Sequence, residues 1–301
     1  MQTLRDRIAI VTGASRGGGR GIAIELGAAG ATVYVTGRST RSAPAPGYQR
    51  FLAGAGIAEM PGTIDDTADE VTAAGGRGIA VRCDHGDPAQ VRDLIARVER
   101  EQGKLDLLVN NAWGGHESFS AAALNAPFWE QTLDHWEAMF DHGVRNHVIA
   151  CHAAAPLFVR QQRGLIVTTS FWDRDRYLKG NLFYDLAKAA MNRLAFDVAE
   201  ELRPHGATSL ALVPGWMRTE LVLAAMKATE QTWRDHPALA RTESVRYIGR
   251  AVAALAADPG VHAKTGTVQY VGVLAGEYGF TDVDGRVIPP FEIAREDRTG
   301  S

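Results

Sequence analysis

Short apolar runs alternate with helix-spaced apolar positions along most of the chain. Ile8-Ala9-Ile10-Val11-Thr12 is the first run, and residues 19–29 follow with Ile22, Ile24 and Leu26 at helical spacing. Thr32-Val33-Tyr34-Val35-Thr36, Ile79-Ala80-Val81 and residues 105–109 are further β-like runs, with a helix-like stretch at 89–100. The alternation continues with a long helix at 136–160, a strand at 165–169 and a helix at 183–202. That last helix carries Leu186, Ala190, Leu194 and Val198 on one face. A strand at 208–213 closes on Pro214-Gly215, a helix at 244–256 stops at Asp258-Pro259-Gly260, and a last strand falls at 267–271. Strands alternating with helices predict βαβ units, a parallel sheet and right-handed crossovers.

Two stretches break the rhythm. Residues 39–62 hold three prolines (Pro44, Pro46, Pro61) and read as one long loop. Residues 214–240 hold Trp216 and Trp233 and read either as a lid over a pocket or as a small surface helical excursion. An irregular tail is expected from about 276. There is no internal repeat and no linker long enough to divide residues 1–301 into two domains.

Composition narrows the classes. Lys plus Arg number 32 and Asp plus Glu 35, a net charge of −3 without a basic block, so no nucleic-acid footprint is expected. No apolar run approaches the ~20 residues that span a bilayer. Arg5, Asp6 and Arg7 directly precede the first strand, unlike a signal peptide, and a cytoplasmic protein is expected. Cys83 and Cys151 lie too far apart to suggest a disulfide framework or a zinc site, and no metal is expected.

The 32 glycines concentrate the candidate chemistry. Thr12-Gly13-Ala14-Ser15-Arg16-Gly17-Gly18-Gly19 joins the first strand to the first helix as T-G-x-x-x-G-x-G. Glycines at 13, 17 and 19 let backbone turn tightly and approach a pyrophosphate, and the helix offers that anion its free N–H groups. A glycine loop is also a plain turn elsewhere. Here the strand before it and the helix after it favour a dinucleotide. The second strand ends Thr36-Gly37-Arg38 without the acid that binds a ribose 2′-hydroxyl. Arg38, with Arg16 nearby, suits a 2′-phosphate, so NADP(H) is expected over NAD(H). The plainer reading is that both arginines are surface charges.

Tyr184 and Lys188 are one helical turn apart, so phenol and ammonium share a face. A neighbouring ammonium favours the phenolate, and such a tyrosine can exchange a proton with a substrate oxygen. A lone Y-x-x-x-K is common. Here the glycine loop, Asn110-Asn111-Ala112 after the fourth strand, the Tyr-Lys pair and Pro214-Gly215 follow one order. Together they resemble the short-chain dehydrogenase/reductase superfamily over about residues 5–275. Thr36-Gly37-Arg38, Asn110-Asn111-Ala112-Trp113 and the run from Gly279 to Arg286 resemble one narrower branch of it.

The resemblance implies an α/β fold: a single Rossmann-type domain with a doubly wound, seven-stranded parallel sheet flanked by helices, assembled as a homodimer or homotetramer. It implies hydride transfer between a nicotinamide and a carbonyl or alcohol. Tyr184 would be the general acid/base, and Lys188 would hold the nicotinamide ribose and depress the tyrosine pKa. Gly13, Ser15, Arg16, Gly17 and Gly19 would cradle the phosphates, and Asp84 would lie against the adenine. Asn111 and Ala112 would line the cofactor site, Pro214 and Gly215 would shape its nicotinamide end, and Thr219 would meet the carboxamide.

The chain departs from the family pattern twice. The substrate-binding serine falls at Phe171, with Ser170 one residue earlier, and the helix asparagine falls at Gly143, with Asn146 one turn on. Three explanations compete. Ser170 moves into the serine's role, Asp173 or His147 assists instead, or the fold serves binding with little redox activity. His142 and His147 read as ordinary helix histidines. Trp113, Phe171, Trp172, Trp216 and Trp233 follow strand C-termini, so an apolar or aromatic small-molecule substrate is expected. Some of these rings could instead pack the core or an oligomer interface. The leading reading is an NADP-dependent oxidoreductase. The alternative is a non-redox lyase or isomerase, or a nucleotide-binding sensor.

Overall fold

The computed structural model describes residues 3–43, 60–117, 126–171, 176–177 and 180–293. In chain order the strands are β1 (Ile8–Val11), β2 (Thr32–Gly37), β3 (Arg77–Arg82), β4 (Leu107–Asn110), β5 (Gly164–Thr169), β6 (Ala207–Val213), β7 (Met217–Arg218), β8 (Glu243–Ser244) and β9 (Val268–Tyr270). The helices are α1 (Gly17–Ala28), α2 (Ile64–Ala73), α3 (Pro88–Gln102), α4 (Asp134–Met139), α5 (Arg145–Gln161), α6 (Leu182–Leu202), α7 (Glu220–Ala225), α8 (Val245–Ala257) and α9 (Val271–Tyr278).

Seven strands make one sheet in the order β3-β2-β1-β4-β5-β6-β9, every neighbouring pair parallel. β7 and β8 form a separate two-stranded pair. The sheet strands read as continuous apolar runs because helices cover both faces. Ala9, Val11, Val33, Val35, Val109 and Val167 pack with α1, α2, α8 and α9. Ile8, Ile10, Tyr34, Leu108 and Ile166 point the other way and pack with α3 and α5. The strand order reverses at β1, between β2 and β4. Loops at the C-terminal ends of β1 and β4 therefore diverge and leave a crevice.

The expected sheet and most of its helices are present. Three local differences have physical causes. The stretch read as one helix over 136–160 is α4 and α5 joined by a single π turn over Phe140–Val144. Helix α2 is a further element: its buried apolar positions Ile64, Ala68 and Val71 are helically spaced but few, and they follow directly on the stretch read as a loop. Thr63 caps it by accepting from the Asp66 N–H at 3.1 Å. Helix α9 follows β9 directly, so its apolar start reads as strand. It ends at Gly279 in the left-handed region (φ 72°), and residues 279–293 run without regular structure. Within 214–240, β7 and α7 are followed by short 3₁₀ turns that pack Leu223, Trp233 and Leu239 together. Residues 44–59 of the expected long loop lie outside the described residues.

Helices α1 and α8 cross almost in backbone contact. A Cβ on Gly21 would lie 1.7 Å from the Val245 carbonyl oxygen, and one on Gly249 would lie 2.5 Å from the Gly21 carbonyl oxygen. Gly21→Ala is therefore expected to destabilise the fold by about 1–3 kcal/mol, the usual range for overpacking, despite alanine's better helix propensity. Denaturant unfolding of the variant checks this. Unchanged or increased stability contradicts the close crossing.

Candidate active site

β1 ends at Val11, and the chain turns from Gly13 to Gly17, the first residue of α1, with both glycines in the left-handed region (φ 64° and 56°). The turn is locked against the end of β4. Thr12 Oγ accepts from the N–H groups of Asn111 and Ala112 at 2.8 and 2.9 Å, and Asn111 Nδ2 donates to the Thr12 and Gly13 carbonyls at 3.1 Å each. A Cβ on Gly13 would lie 2.7 Å from Ala112 Cα, and one on Gly19 would lie 2.3 Å from the Gly13 oxygen. Glycine is needed at both positions for steric reasons.

A cavity of about 800 Å³ opens along this edge of the sheet. Its wall includes Gly13, Ser15, Arg16, Gly17, Arg38, Asp84, Asn111, Ala112, Ser170, Tyr184, Lys188, Pro214, Gly215 and Thr219. Gly19 lies beneath the loop instead of in the wall. The residues fit a dinucleotide. The bare glycine turn and the α1 N-terminus could hold a pyrophosphate, and two arginines stand at the far end. Arg16 is braced there by the Pro61 and Gly62 carbonyls and Ser39. Arg38 forms an ion pair with Glu117. Asp84 Oδ1 accepts from the Gly86 N–H at 2.9 Å. Thr219 caps α7 by accepting from the Val222 N–H at 3.2 Å. The next residue, Glu220, accepts from the Gly17 N–H at 2.8 Å.

At the other end Tyr184 and Lys188 sit side by side on α6. Lys188 Nζ lies 3.8 Å from the Trp113 ring centroid and 5.4 Å from that of Tyr184, with Met191 Sδ at 3.7 Å. Aromatic faces attract the ammonium but hydrate it poorly. Burial pushes its pKa down to about 7. Burial, with a smaller contribution from Asp185, pushes the Tyr184 phenol up. The phenol stands among three rings. Trp113 meets it edge-on at 5.9 Å, His116 stacks on it at 5.6 Å and Phe171 tilts against it at 6.1 Å.

The two departures from the family pattern have structural accounts. A Cβ on Gly143 would lie 2.5 Å from Trp113 Cζ3, so the indole fills the space a side chain at 143 would need. Gly115 flanks the same ring, where a Cβ would lie 2.6 Å from Trp113 Cζ2. Ser170 donates its hydroxyl proton to the Lys188 carbonyl at 3.1 Å, while Phe171 gives its ring to the cavity. Asn146 donates to the His142 carbonyl at 2.8 Å. His147 is buried outside the cavity wall. Its Nε2 bonds the Ala112 carbonyl at 3.1 Å, and burial lowers its pKa to about 3. Of the aromatic residues expected around the substrate, Trp113, Phe171 and Trp216 line the cavity. Trp233 packs instead under Arg218, 3.9 Å from the guanidinium. Trp172 and Asp173 lie outside the described residues.

His116, Glu117 and Glu220 are cavity residues that sequence reasoning missed. A sequence signal for His116 existed in the short spacing Trp113-Gly114-Gly115-His116, directly after Asn110-Asn111-Ala112. Glu220 and Glu117 carry no motif.

The fold and this arrangement define the class. The chain belongs to the short-chain dehydrogenase/reductase family, and residues 53–272 match the sequence pattern of the family described as Enoyl-(Acyl carrier protein) reductase. The narrower likeness is to dehydrogenase/reductase SDR family member 1. The mouse protein is 37% identical over 96% of this chain and 87% of its own, and the human protein is 36% identical over the same shares. A solved short-chain dehydrogenase from Mycobacterium thermoresistibile superposes with a TM-score of 0.75 over 99% of this chain and 100% of its own, at 24% identity, and shares the fold. Family members are oxidoreductases that bind NAD or NADP. Among the described residues no helix is long and apolar enough to cross a membrane, and no cluster of His, Cys, Asp and Glu could hold a metal ion.

Lys188 is expected to titrate near pH 7 in the free protein, read by NMR of labelled lysine, and a midpoint near 10 contradicts its enclosure. The folded value lies below the unfolded one, so stability is full above about pH 10.4 and falls as the pH drops toward about 7. Lys188→Met removes this loss. The variant should gain stability over wild type at pH 6 and show no such gain at pH 10.5.

Proposed function

We propose that the protein is an NADP-dependent oxidoreductase acting on a small carbonyl or alcohol substrate of apolar or aromatic character. The observation that carries this is the Tyr184–Lys188 pair standing in the same cavity as the glycine turn. The nicotinamide would supply or accept the hydride. Tyr184 gives its phenolic proton to the substrate oxygen in reduction and takes it back in oxidation. Lys188 reaches the ribose hydroxyls, and its charge favours the phenolate against the burial that raises it. Gly13, Ser15, Gly17 and Gly19 serve the phosphates, Asp84 the adenine, Asn111 and Ala112 the cofactor wall, and Pro214, Gly215 and Thr219 the nicotinamide end. Arg38 exchanges Glu117 for the 2′-phosphate, with Arg16 beside it. Trp113, Phe171 and Trp216 supply the apolar wall for the substrate. Exposed Leu186 and Phe196 on α6 and Val148 on α5 support a homodimer or homotetramer, and we take the protein to be cytoplasmic.

Ser170 favours a second reading. Its hydroxyl proton is committed to the Lys188 carbonyl, which supports a non-redox lyase, isomerase or nucleotide sensor. A panel of carbonyls with NADPH separates the two. Saturable NADPH binding without oxidation across the panel supports the second.

Tyr184→Phe is expected to abolish turnover and leave NADPH binding, followed by its fluorescence, within about twofold. Turnover equal to wild type overturns the mechanism. Arg38→Ala is expected to weaken NADPH about 10–100-fold with little change for NADH, as the loss of one charged hydrogen-bonded contact of ~1.5–3 kcal/mol implies. Equal weakening of both cofactors removes the 2′-phosphate role.

A further inference from the structure

Beside Tyr184 the family serine's position is Phe171, and the Ser170 hydroxyl lies at 3.1 Å from the Lys188 carbonyl and 3.5 Å from the Phe171 carbonyl. The ring next to the phenol is His116, stacked at 5.6 Å with 25° between planes and lining the same cavity. Its tautomer is fixed from behind. Trp113 Nε1 is a donor only, and it reaches His116 Nδ1 at 3.1 Å. Nδ1 must therefore accept, and the neutral ring carries its proton on Nε2. Burial and the Lys188 charge hold the His116 pKa down to about 4, so the ring is neutral at pH 7. Trp113 is itself immobilised between Gly143 and Gly115.

We infer that His116, through its Nε2–H, is the second hydrogen-bond donor to the substrate oxygen, in the role that Phe171 cannot fill at the family serine's position. The inference rests on the proposed carbonyl chemistry. Tyr184 transfers the proton. His116 transfers none and stabilises the negative charge that grows on the oxygen as the carbonyl carbon accepts hydride. A donor aimed at developing charge in a water-poor site raises kcat more than it tightens substrate binding.

The test uses the full chain, NADPH and a panel of aryl and alkyl ketones and aldehydes. His116→Phe keeps a stackable ring and removes the donor. It should lower kcat by about 10²-fold, the usual effect of losing one such donor, with KM for NADPH unchanged. His116→Gln, which retains a donor, should recover part of the loss. Trp113→Phe, which removes the indole N–H, should lower kcat as well. In the free protein, long-range ¹⁵N–¹H NMR should find a neutral His116 ring protonated on Nε2, and a mixture of tautomers in Trp113→Phe. A proton on Nδ1 in wild type overturns the inference. So does full kcat in His116→Phe where Tyr184→Phe is dead, and that result leaves the oxidoreductase reading standing. A wild-type protein that binds NADPH and reduces nothing in the panel overturns the reading, and the inference with it.

Discussion

The indole of Trp113 is the contact on which the reactive end of the cavity depends. It stands at right angles to the Tyr184 ring, its face carries the Lys188 ammonium, and its N–H holds His116. A ring this large fits because both flanks are bare, with glycine at 143 and 115. The π turn over Phe140–Val144 brings Gly143 to the ring, and the His142 carbonyl from that turn accepts the Gly114 N–H at 2.8 Å. π turns recur at functional sites because the irregular ladder frees backbone groups for such contacts. The glycine at 143 is thus the counterpart of a tryptophan at 113, and the lysine's neighbour is an aromatic face.

The opposite end obeys a different constraint, close approach of backbone to backbone. The Thr12 hydroxyl and the Asn111 amide bind the β1 turn to the end of β4 through four hydrogen bonds to the facing backbone. Gly13 and Gly19 keep that interface thin, and Gly21 lets α8 press on α1 behind it. The phosphate-facing turn is consequently held from the sheet and from the helix layer at once. Glu220 already uses the Gly17 N–H and reaches Arg20 at 3.4 Å, so α7 is tied to this turn through an acid.

Buried charge fixes the segment between β6 and α7. Arg218 is about 1% exposed. It donates to the Thr242 carbonyl at 2.8 Å, lies on the Trp233 face and stands 3.9 Å from Asp282. Asp282 in turn accepts from the Ser244 N–H at 2.8 Å. Glu243 accepts from the Gly215 backbone and is buried enough for its carboxyl to rise to about 8. Arg218 and Asp282, as buried ions, must keep partners, because an orphaned charge is strongly destabilising. The chain after α9, which lacks regular structure, is therefore the brace for Pro214–Thr219.

Periodicity alone revealed the sheet, most helices and their alternation, because parallel strands buried on both faces are written as uninterrupted apolar runs. Local spacing revealed the glycine turn and the Tyr184–Lys188 face, since one βα turn and one helical turn fix those geometries without help. Helix α2 went unread because its helically spaced apolar positions are only Ile64, Ala68 and Val71, and α9 because it begins where β9 ends. Gly143 could be read as a departure from a pattern, but not as room for an indole thirty residues earlier in the chain. The meeting of Trp113, His116, Gly143 and Tyr184, the Arg38–Glu117 pair and the burial of Arg218 join segments whose separation in sequence bears no relation to their distance in space. Tertiary packing decided them. The sequence determined which backbone could turn and which helix faces were reactive, because those are short-range properties. The environment of each reactive group depends on which distant side chains exclude water around it, and only the folded chain sets that.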